Sequence, residues 1–312
     1  MASNTTRAAS VLVRSYRPQR HWRSALLFLA PFIVLFAFMY VVPVAVAVYD
    51  SMFVSRFTGL GLTGAHVFFD PLSNYRTALS DPAFLGSLRR VLLFGVVQVP
   101  LMLILATALA LLIDSRAARA RSLFRLVGFL PYVVPGVIAA MMWSFLYSGS
   151  SSPIEQALQP FGISIPFFGS QLTLWSVANV VTWTWTGYNM LIIYSSLTSI
   201  PPEILEAARV DGASGWRTAW HIKIPMVRAS IILTTVFSII GTAQLYNEPS
   251  ILQTVSNGNI TSTYTPIMAA QTAINAQNYY YAATLSVILA VIVGVLSFVF
   301  FKLTNRGRAA WN

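Results

Sequence analysis

The chain has 312 residues, of which 56% are hydrophobic and only 9% are charged. Soluble domains carry roughly 25% charged residues, so this composition excludes a protein whose whole surface faces water. The chain has no cysteine, which excludes disulfides, thiolate metal sites and cysteine nucleophiles, and its net charge of +11 is spread between apolar blocks rather than gathered for nucleic acid.

Long apolar blocks follow one another along the chain, and their length of about 20 residues or more matches the roughly 30 Å hydrocarbon core of a bilayer. We therefore predict an all-α membrane protein with a basic cytoplasmic arm at 1–23, a transmembrane domain at 24–302 and a cytoplasmic tail at 303–312. Its six transmembrane helices are predicted at about 24–49, 91–113, 124–147, 172–197, 227–247 and 279–301.

The first apolar block follows a basic leader, as the core of a secretory signal peptide does. That core has about 7–15 residues, whereas block 24–49 is nearly twice as long. We predict an uncleaved first span, although Ala45-Val46-Ala47 resembles a cleavage site.

The positive charges predict the orientation of the spans. Sixteen of the 20 Lys and Arg residues lie in the leader, the 114–125 turn, the 203–228 loop and the tail. The other side has Arg56, Arg76, Arg89 and Arg90. Because cytoplasmic segments are enriched in Lys and Arg, both termini and the 203–228 loop are predicted to face the cytoplasm. Arg89 and Arg90 are expected to extend toward outer headgroups.

Spans two to six contain no ionisable Asp, Glu, Lys, Arg or His beyond bases at their cytoplasmic edges. A proton-coupled transporter keeps such a group inside the membrane, and an intramembrane hydrolase needs a base beside a nucleophile. No GxxxxGK[ST] phosphate-binding loop occurs in the chain. We therefore expect a transporter whose energy comes from another chain, while sodium coupling through backbone carbonyls stays open.

The segment Glu203–Pro225 is charged, although it lies between two apolar blocks. Pro201 and Pro202 end the preceding helix, Asp211-Gly212 predicts a turn, and Ser214 is suited to cap a second short helix. We predict a helix, a glycine turn and a helix. This element suits docking into a groove of a partner protein, and an amphipathic loop on the membrane surface fits the same residues.

The same segment resembles the EAA loop of bacterial ABC importer permeases, in which EAA, three residues, Gly, nine residues and I-x-x-P follow one another. Here Glu206-Ala207-Ala208 is followed by Gly212 and, at the matching distance, by Ile222–Pro225. The triplet Asp211-Gly212-Ala213 matches the version common in the carbohydrate branch, the maltose-transporter type. With its flanking features, the resemblance covers roughly Asn74 to Arg306.

The resemblance implies the fold of a type I ABC importer permease, with six transmembrane helices and both termini cytoplasmic, in the plasma membrane of a bacterial cell. It also implies that segment 203–225 is a coupling helix that seats in a cleft of a cytoplasmic ATPase. The residues expected to carry this coupling are Glu206, Ala207, Ala208, Asp211, Gly212, Ala213, Ile222 and Pro225.

The resemblance further implies that the chain is a transport subunit and not an enzyme. Its expected partners are a second, different permease subunit, two copies of a cytoplasmic ABC ATPase, an extracytoplasmic solute-binding protein and the lipid bilayer, without nucleic acid. No metal or cofactor is expected on this chain, because ATP-Mg would bind to the partner ATPase.

Polar side chains in the fourth and fifth spans are candidates for a substrate path, since polar groups inside a membrane are costly unless they are satisfied. In the maltose-transporter type, the corresponding regions line the sugar site. The candidates are Asn179, Tyr188, Asn189, Ser238, Thr242, Gln244, Tyr246, Asn247 and Glu248. Hydroxyl, amide and aromatic groups together suit a carbohydrate, although hydrogen bonding between helices explains the same groups.

The expected function is therefore a permease subunit that forms half of the path for a sugar or sugar derivative. The alternative is a membrane channel or scaffold whose loop binds a non-ATPase cytoplasmic partner. The absence of charge in the spans favours a neutral solute, but a charged or phosphorylated sugar stays open through Arg89, Arg90 or the second permease.

Overall fold

Helices dominate the chain in a computed structural model that describes residues 22–57, 65–115, 118–149 and 152–305. Most of the predicted arm at 1–23 and of the predicted tail at 303–312 lies outside the described residues, and the described parts, 22–23 and 303–305, belong to the first and last helices. The chain divides after Val46 into two compact units.

The first apolar block is helical through its length. Helix α1 (Trp22–Phe36) continues through a π-helical turn (Ala37–Val41) into α2 (Val42–Asp50). Pro43 explains the π turn, because a proline has no N–H with which to bond the carbonyl four residues back.

A short β-hairpin follows, which the all-α prediction did not include. Strands β1 (Phe53–Phe57) and β2 (Ala65–Phe69) pair antiparallel, with Phe53 opposite Phe69. The next helix, α3 (Ser73–Ser80), is tied to the hairpin because Asn74 Nδ2 donates to the Phe53 carbonyl at 2.9 Å.

Helix α4 (Pro82–Asp114) has 33 residues and begins nine residues before the predicted second span. Asp81 caps its start by accepting from the Ala83 N–H at 2.9 Å, and Pro82 fits the first helical position. Arg90 consequently lies within the helix. Its guanidinium donates to the Tyr264 carbonyl at 2.6 Å and lies 4.3 Å from the Tyr264 ring centroid, so the expectation that Arg90 reaches headgroups is wrong.

The predicted third span is two helices with a 92° bend between them. Helix α5 (Arg121–Val133) ends before α6 (Gly136–Leu146) begins. Pro135 causes the break, since the residue before a proline is restricted to extended backbone and Val134 has φ −68° and ψ 122°. The predicted span at 124–147 is therefore an interrupted pair of helices and not one continuous helix.

The remaining helices surround the predicted fourth, fifth and sixth spans. After α7 (Pro153–Leu158) and a 3-10 turn (Gln159–Phe161), α8 (Thr173–Thr198) matches the fourth span within one residue at each end. The later helices are α9 (Pro202–Val210), α10 (Gly215–Thr218), a π turn (Ala219–Lys223), α11 (Ile224–Met226) and α12 (Arg228–Ala243). They are followed by α13 (Asn247–Leu252), a 3-10 turn (Gln253–Val255), α14 (Pro266–Asn275) and α15 (Tyr279–Asn305).

Within the described residues, four helical segments are long and apolar enough to cross a membrane, and the bent pair α5–α6 makes a fifth if it counts as one span. The four are Leu26–Asp50, Pro82–Asp114, Arg228–Val255 and Tyr279–Thr304. Helix α8 is long enough, but its Asn, Thr, Ser and Gly residues make it less apolar. The number six and the cytoplasmic termini stay predictions.

Helix α8 packs against α4, α5, α6, α12 and α13, and its contact with α5 depends on two glycines. A Cβ added to Gly187 of α8 would lie 2.0 Å from the carbonyl oxygen of Gly128 in α5. Only a glycine permits this approach. The middle of α8, which carries polar side chains, also contacts α4 and α12.

Candidate functional site

A cavity of about 280 Å³ lies between α4, α8, α12 and the start of α13. Eight of the nine side chains proposed for a substrate path line it: Tyr188, Asn189, Ser238, Thr242, Gln244, Tyr246, Asn247 and Glu248. The rest of the wall is apolar or small, from Met102, Val181, Trp185, Phe237, Gly241 and Leu245. The fold thus brings together eight candidates up to 60 positions apart in the sequence, and adds Met102 from a more distant segment.

Asn179 lies apart from this cavity. It is nine residues before Tyr188, which is about 2.5 turns of an α-helix, so the two side chains lie on opposite faces of α8. Asn179 Nδ2 instead donates to the Tyr147 hydroxyl at 2.8 Å. Asn179 and Tyr147 border a second, more apolar cavity of about 380 Å³ that Trp143 and Trp175 also line.

Aromatic rings cover the α8 side of the cavity. The Tyr188 ring stacks on Tyr132 of α5 at a centroid distance of 4.8 Å, and Trp185 meets Tyr132 edge-on at 5.3 Å. Tyr132 lies in α5 one turn after Gly128, so the packing of α5 on α8 places its ring there. No local pattern pointed to Tyr132, because its contact with Tyr188 spans 56 positions.

Gln98 is a polar residue beside the cavity that the sequence analysis missed. Its side chain is 1% exposed in the middle of α4. Its Nε2 donates to the Thr182 hydroxyl at 3.3 Å, and its Oε1 accepts from the Thr242 hydroxyl at 3.3 Å. Gln98 therefore ties α4 to both α8 and α12. The signal available was one amide in an otherwise apolar run, FGVVQVPLML.

The break after α12 exposes backbone and side chains to the cavity. Helix α12 ends at Ala243, four residues before the predicted end of the fifth span, and α13 begins at Asn247. The Leu245 carbonyl, freed by this break, accepts from the Thr265 hydroxyl at 2.8 Å. Broken helices of this kind occur in membranes where they border protein or a cavity.

Of the described residues that line the cavity, Glu248 is the one carboxylate, and none is Lys, Arg or His. Its Oε1 lies 4.0 Å from the position that a Cβ on Gly136 would occupy. Gly136 is the first residue of α6, so the carboxylate lies near the positive end of that helix dipole, which favours a negative charge.

The segment 203–225 forms the expected helix, glycine turn and helix. Gly212 has φ +74°, and it ends α9 in a Schellman motif: its N–H bonds the Arg209 carbonyl and the Ala213 N–H bonds the Ala208 carbonyl. The Ser214 hydroxyl then caps α10 by accepting from the Arg217 N–H at 3.3 Å. Both predictions of turn and cap are confirmed.

The proposed coupling residues differ in exposure. Those exposed to solvent are Glu206, Ala207, Asp211, Gly212 and Pro225, whereas Ala208 is buried and Ala213 and Ile222 are half-buried. Apolar side chains extend the exposed surface. Val210 is 88% exposed and Trp216 is 77% exposed, and Trp216 stacks on Trp220 at 6.0 Å.

Pro225 continues the helix rather than ending it. It follows the π turn Ala219–Lys223, just as Pro43 follows the π turn Ala37–Val41. In each case the wider turn satisfies the backbone around a residue that has no N–H. The turn ends at Lys223, whose side chain points to the end of α4.

Several known proteins are similar to this chain in sequence. The family described as a binding-protein-dependent transport system inner membrane component matches residues 102–307. The lactose transport system permease protein LacF of Rhizobium radiobacter is 32% identical over 88% of this chain and 92% of its own length. The arabinooligosaccharides transport system permease protein AraP of Bacillus subtilis is 27% identical over 89% and 88%.

A solved structure has the same fold. It is a bacterial ABC transporter involved in the import of the acidic polysaccharide alginate, and it superimposes with a TM-score of 0.74 over 92% of this chain and 96% of that chain. The sequence identity is 17%, so this likeness concerns the fold alone.

Proposed function

Because this chain belongs to the family of binding-protein-dependent transport system inner membrane components, we propose that it carries a sugar or sugar derivative through the cavity between α4, α8 and α12. The chain is a multi-pass plasma membrane protein and a permease subunit of an ABC importer. What remains to be assigned is its solute, its contact residues and its partners.

The composition of the cavity wall carries the proposal. Eight polar side chains, two of them tyrosines, converge there from α8, α12, α13 and the break between α12 and α13. Amide, hydroxyl and carboxylate groups match the donors and acceptors of sugar hydroxyls, and the Tyr188 and Trp185 rings offer apolar faces. The relatives named for lactose and arabinooligosaccharides support a carbohydrate as the solute.

ATP hydrolysis belongs to a separate subunit in this proposal. Two copies of a cytoplasmic ATPase would hold ATP-Mg, a second permease would complete the path, and an extracytoplasmic binding protein would deliver the solute. The alginate transporter has been solved with an oligosaccharide-bound periplasmic protein, which supports the last of these partners.

The coupling loop would dock on the ATPase through its exposed surface. Glu206 and Asp211 offer carboxylates there, and Val210 and Trp216 offer apolar area. Ala208 lies on the inner side of α9, so we assign it to packing within this chain rather than to the ATPase.

A matched pair of asparagines tests the cavity. Asn247 and Asn179 are both exposed in this chain, but only Asn247 lines the cavity. In a host strain that lacks the chain, complementation with Asn247→Ala should raise the KM for uptake about fivefold, since one lost hydrogen bond costs about 1 kcal/mol. The probes are labelled lactose and a panel of neutral disaccharides and oligosaccharides.

Asn179→Ala should leave that KM within about twofold, because Asn179 bonds Tyr147 away from the cavity. Equal effects of the two substitutions would assign both amides to helix packing. Uptake of none of the saccharides by the strain carrying the unchanged chain would reject a sugar as the solute.

A further inference from the structure

Asp114 and Lys223 form an ion pair between the last residue of α4 and the last residue of the π turn Ala219–Lys223. We propose that this pair is the positioning contact through which movement of the coupling loop is transmitted to α4 and from there to the cavity. The inference rests on the proposed function, in which the loop docks on an ATPase.

The pair is largely withdrawn from water. The side chains of Lys223 and Asp114 are 14% and 17% exposed. Burying two charges costs desolvation energy that their attraction does little more than offset, so such a pair is a weak source of stability. Removing one partner leaves the other charge buried and unpaired, which strongly disfavours the local arrangement. The pair therefore determines geometry at this junction more than it adds stability.

Apolar packing fills the same junction only in part: Leu205 of the loop packs in one cluster with Leu111 and Ile113 of α4. A cavity of about 380 Å³ lies between the end of α4 and the coupling loop, and Leu111, Leu205 and Gly215 line it together with the two charged residues. Among the described residues, the Asp114–Lys223 pair is the side-chain hydrogen bond that joins α4 to the coupling loop across this gap. The loop can then shift as a unit while Lys223 and Asp114 keep α4 attached to it.

Helix α4 extends from this junction to the cavity without interruption. Met102, in the cavity wall, is 12 residues from Asp114, which is about 18 Å along an α-helix. Gln98 lies one turn further and bonds Thr182 and Thr242. A displacement at Asp114 is therefore passed to the helix that ties α8 and α12 together beside the cavity.

The absence of cysteine in the chain permits a direct test. Gln244→Cys places a single thiol at an exposed position of the cavity wall. The complete importer, with its ATPase, second permease and binding protein, is reconstituted in proteoliposomes. The rate at which a water-soluble maleimide labels this chain is then measured without nucleotide and with ATP and vanadate, and ATP hydrolysis is measured in parallel.

We expect the labelling rate to differ about tenfold between the two states, a typical allosteric coupling. Asp114→Asn and Lys223→Gln should each reduce that difference to less than about twofold while ATP hydrolysis continues. The double variant with exchanged charges, Asp114→Lys with Lys223→Asp, should restore it. Arg56→Gln, which breaks an exposed ion pair with Asp70, serves as the control and should change nothing.

Each other outcome contradicts a defined part of the argument. A full difference in labelling with Asp114→Asn, or exchanged charges that behave no better than the single variants, would overturn the proposed role of the pair. If the labelling of the importer that carries Gln244→Cys alone does not respond to nucleotide, the assignment of the cavity as the path is overturned, and this proposal with it.

Discussion

The coupling loop and the cavity of this permease are built in opposite ways. The helix, turn and helix of residues 203–218 get their shape from contacts between residues at most five apart, such as the Ala213 N–H with the Ala208 carbonyl, and only the end of the loop, at Lys223, makes a distant pair with Asp114. The cavity is held by contacts across the chain, such as Thr242 with Gln98, 144 positions apart. The comparison teaches that a local motif is suited to face a partner, while a polar site in a membrane needs several helices to satisfy it.

This difference predicts how substitutions in the two regions act. Changes around the cavity should lower the thermal stability of the purified chain, whereas changes in the loop should leave stability nearly intact and stop transport. The three substitutions below are ordered by their expected effect on stability.

Gly187→Ala should have the largest effect. Its Cβ would lie 2.0 Å from the Gly128 carbonyl oxygen, so α5 and α8 must separate. Overpacking of this kind costs roughly 1–3 kcal/mol, and we expect the midpoint of thermal unfolding in detergent to fall by several degrees. Gly241→Ala, where a Cβ meets nothing within 4 Å, is the control. An unchanged midpoint in Gly187→Ala would contradict the close approach of the two helices.

Gln98→Leu should have an intermediate effect. It removes the bonds to Thr182 and Thr242 and leaves the buried Thr242 hydroxyl without its acceptor, at a cost of about 1–3 kcal/mol that the added apolar side chain partly offsets. Both thermal unfolding and uptake should decline. The control is Gln271→Leu, which removes only a surface bond to Asn275. If the two variants unfold at the same temperature, the hydrogen bonds of Gln98 to Thr182 and Thr242 do not stabilise the packing of α4 on α8 and α12.

Gly212→Val should change stability least and transport most. A Cβ at Gly212 meets nothing within 4 Å, but φ is +74°, where a β-branched residue is strained. The turn must reshape, the relation of α9 to α10 changes, and ATP-dependent uptake should be abolished while the amount of protein in the membrane stays near normal. Gly215→Val, at a helical position without positive φ, is the matched control. Uptake at the unchanged rate by Gly212→Val would refute the coupling role of the loop.

Several features were predictable because neighbouring residues decide them. The Asp211-Gly212 turn and the Ser214 cap depend on side chains within the same short segment. The bounds of α8 follow from its uninterrupted run of helix-compatible residues before Ser199-Ile200-Pro201. The family resemblance rested on the same local spacing, and the family match supports it.

Other features were not predictable because they depend on contacts between distant segments. The polar residues of α8 from Asn179 to Asn189 were predicted as one group. About 2.5 helical turns separate Asn179 from Tyr188, so their side chains lie on opposite faces, and only packing decided which face borders the cavity. The bend between α5 and α6 follows from Pro135, yet its 92° angle depends on α8 and α13.

By itself, the sequence determined the membrane class, the approximate positions of the spans and the shape of the coupling loop. Hydropathy, proline and glycine act over a few residues, so these features need no knowledge of the rest of the chain. The tertiary structure alone decided that Gln98 and Tyr132 border the substrate candidates and that Lys223 pairs with Asp114. Such contacts join residues tens of positions apart, and only the packing of whole helices brings them within a few ångströms.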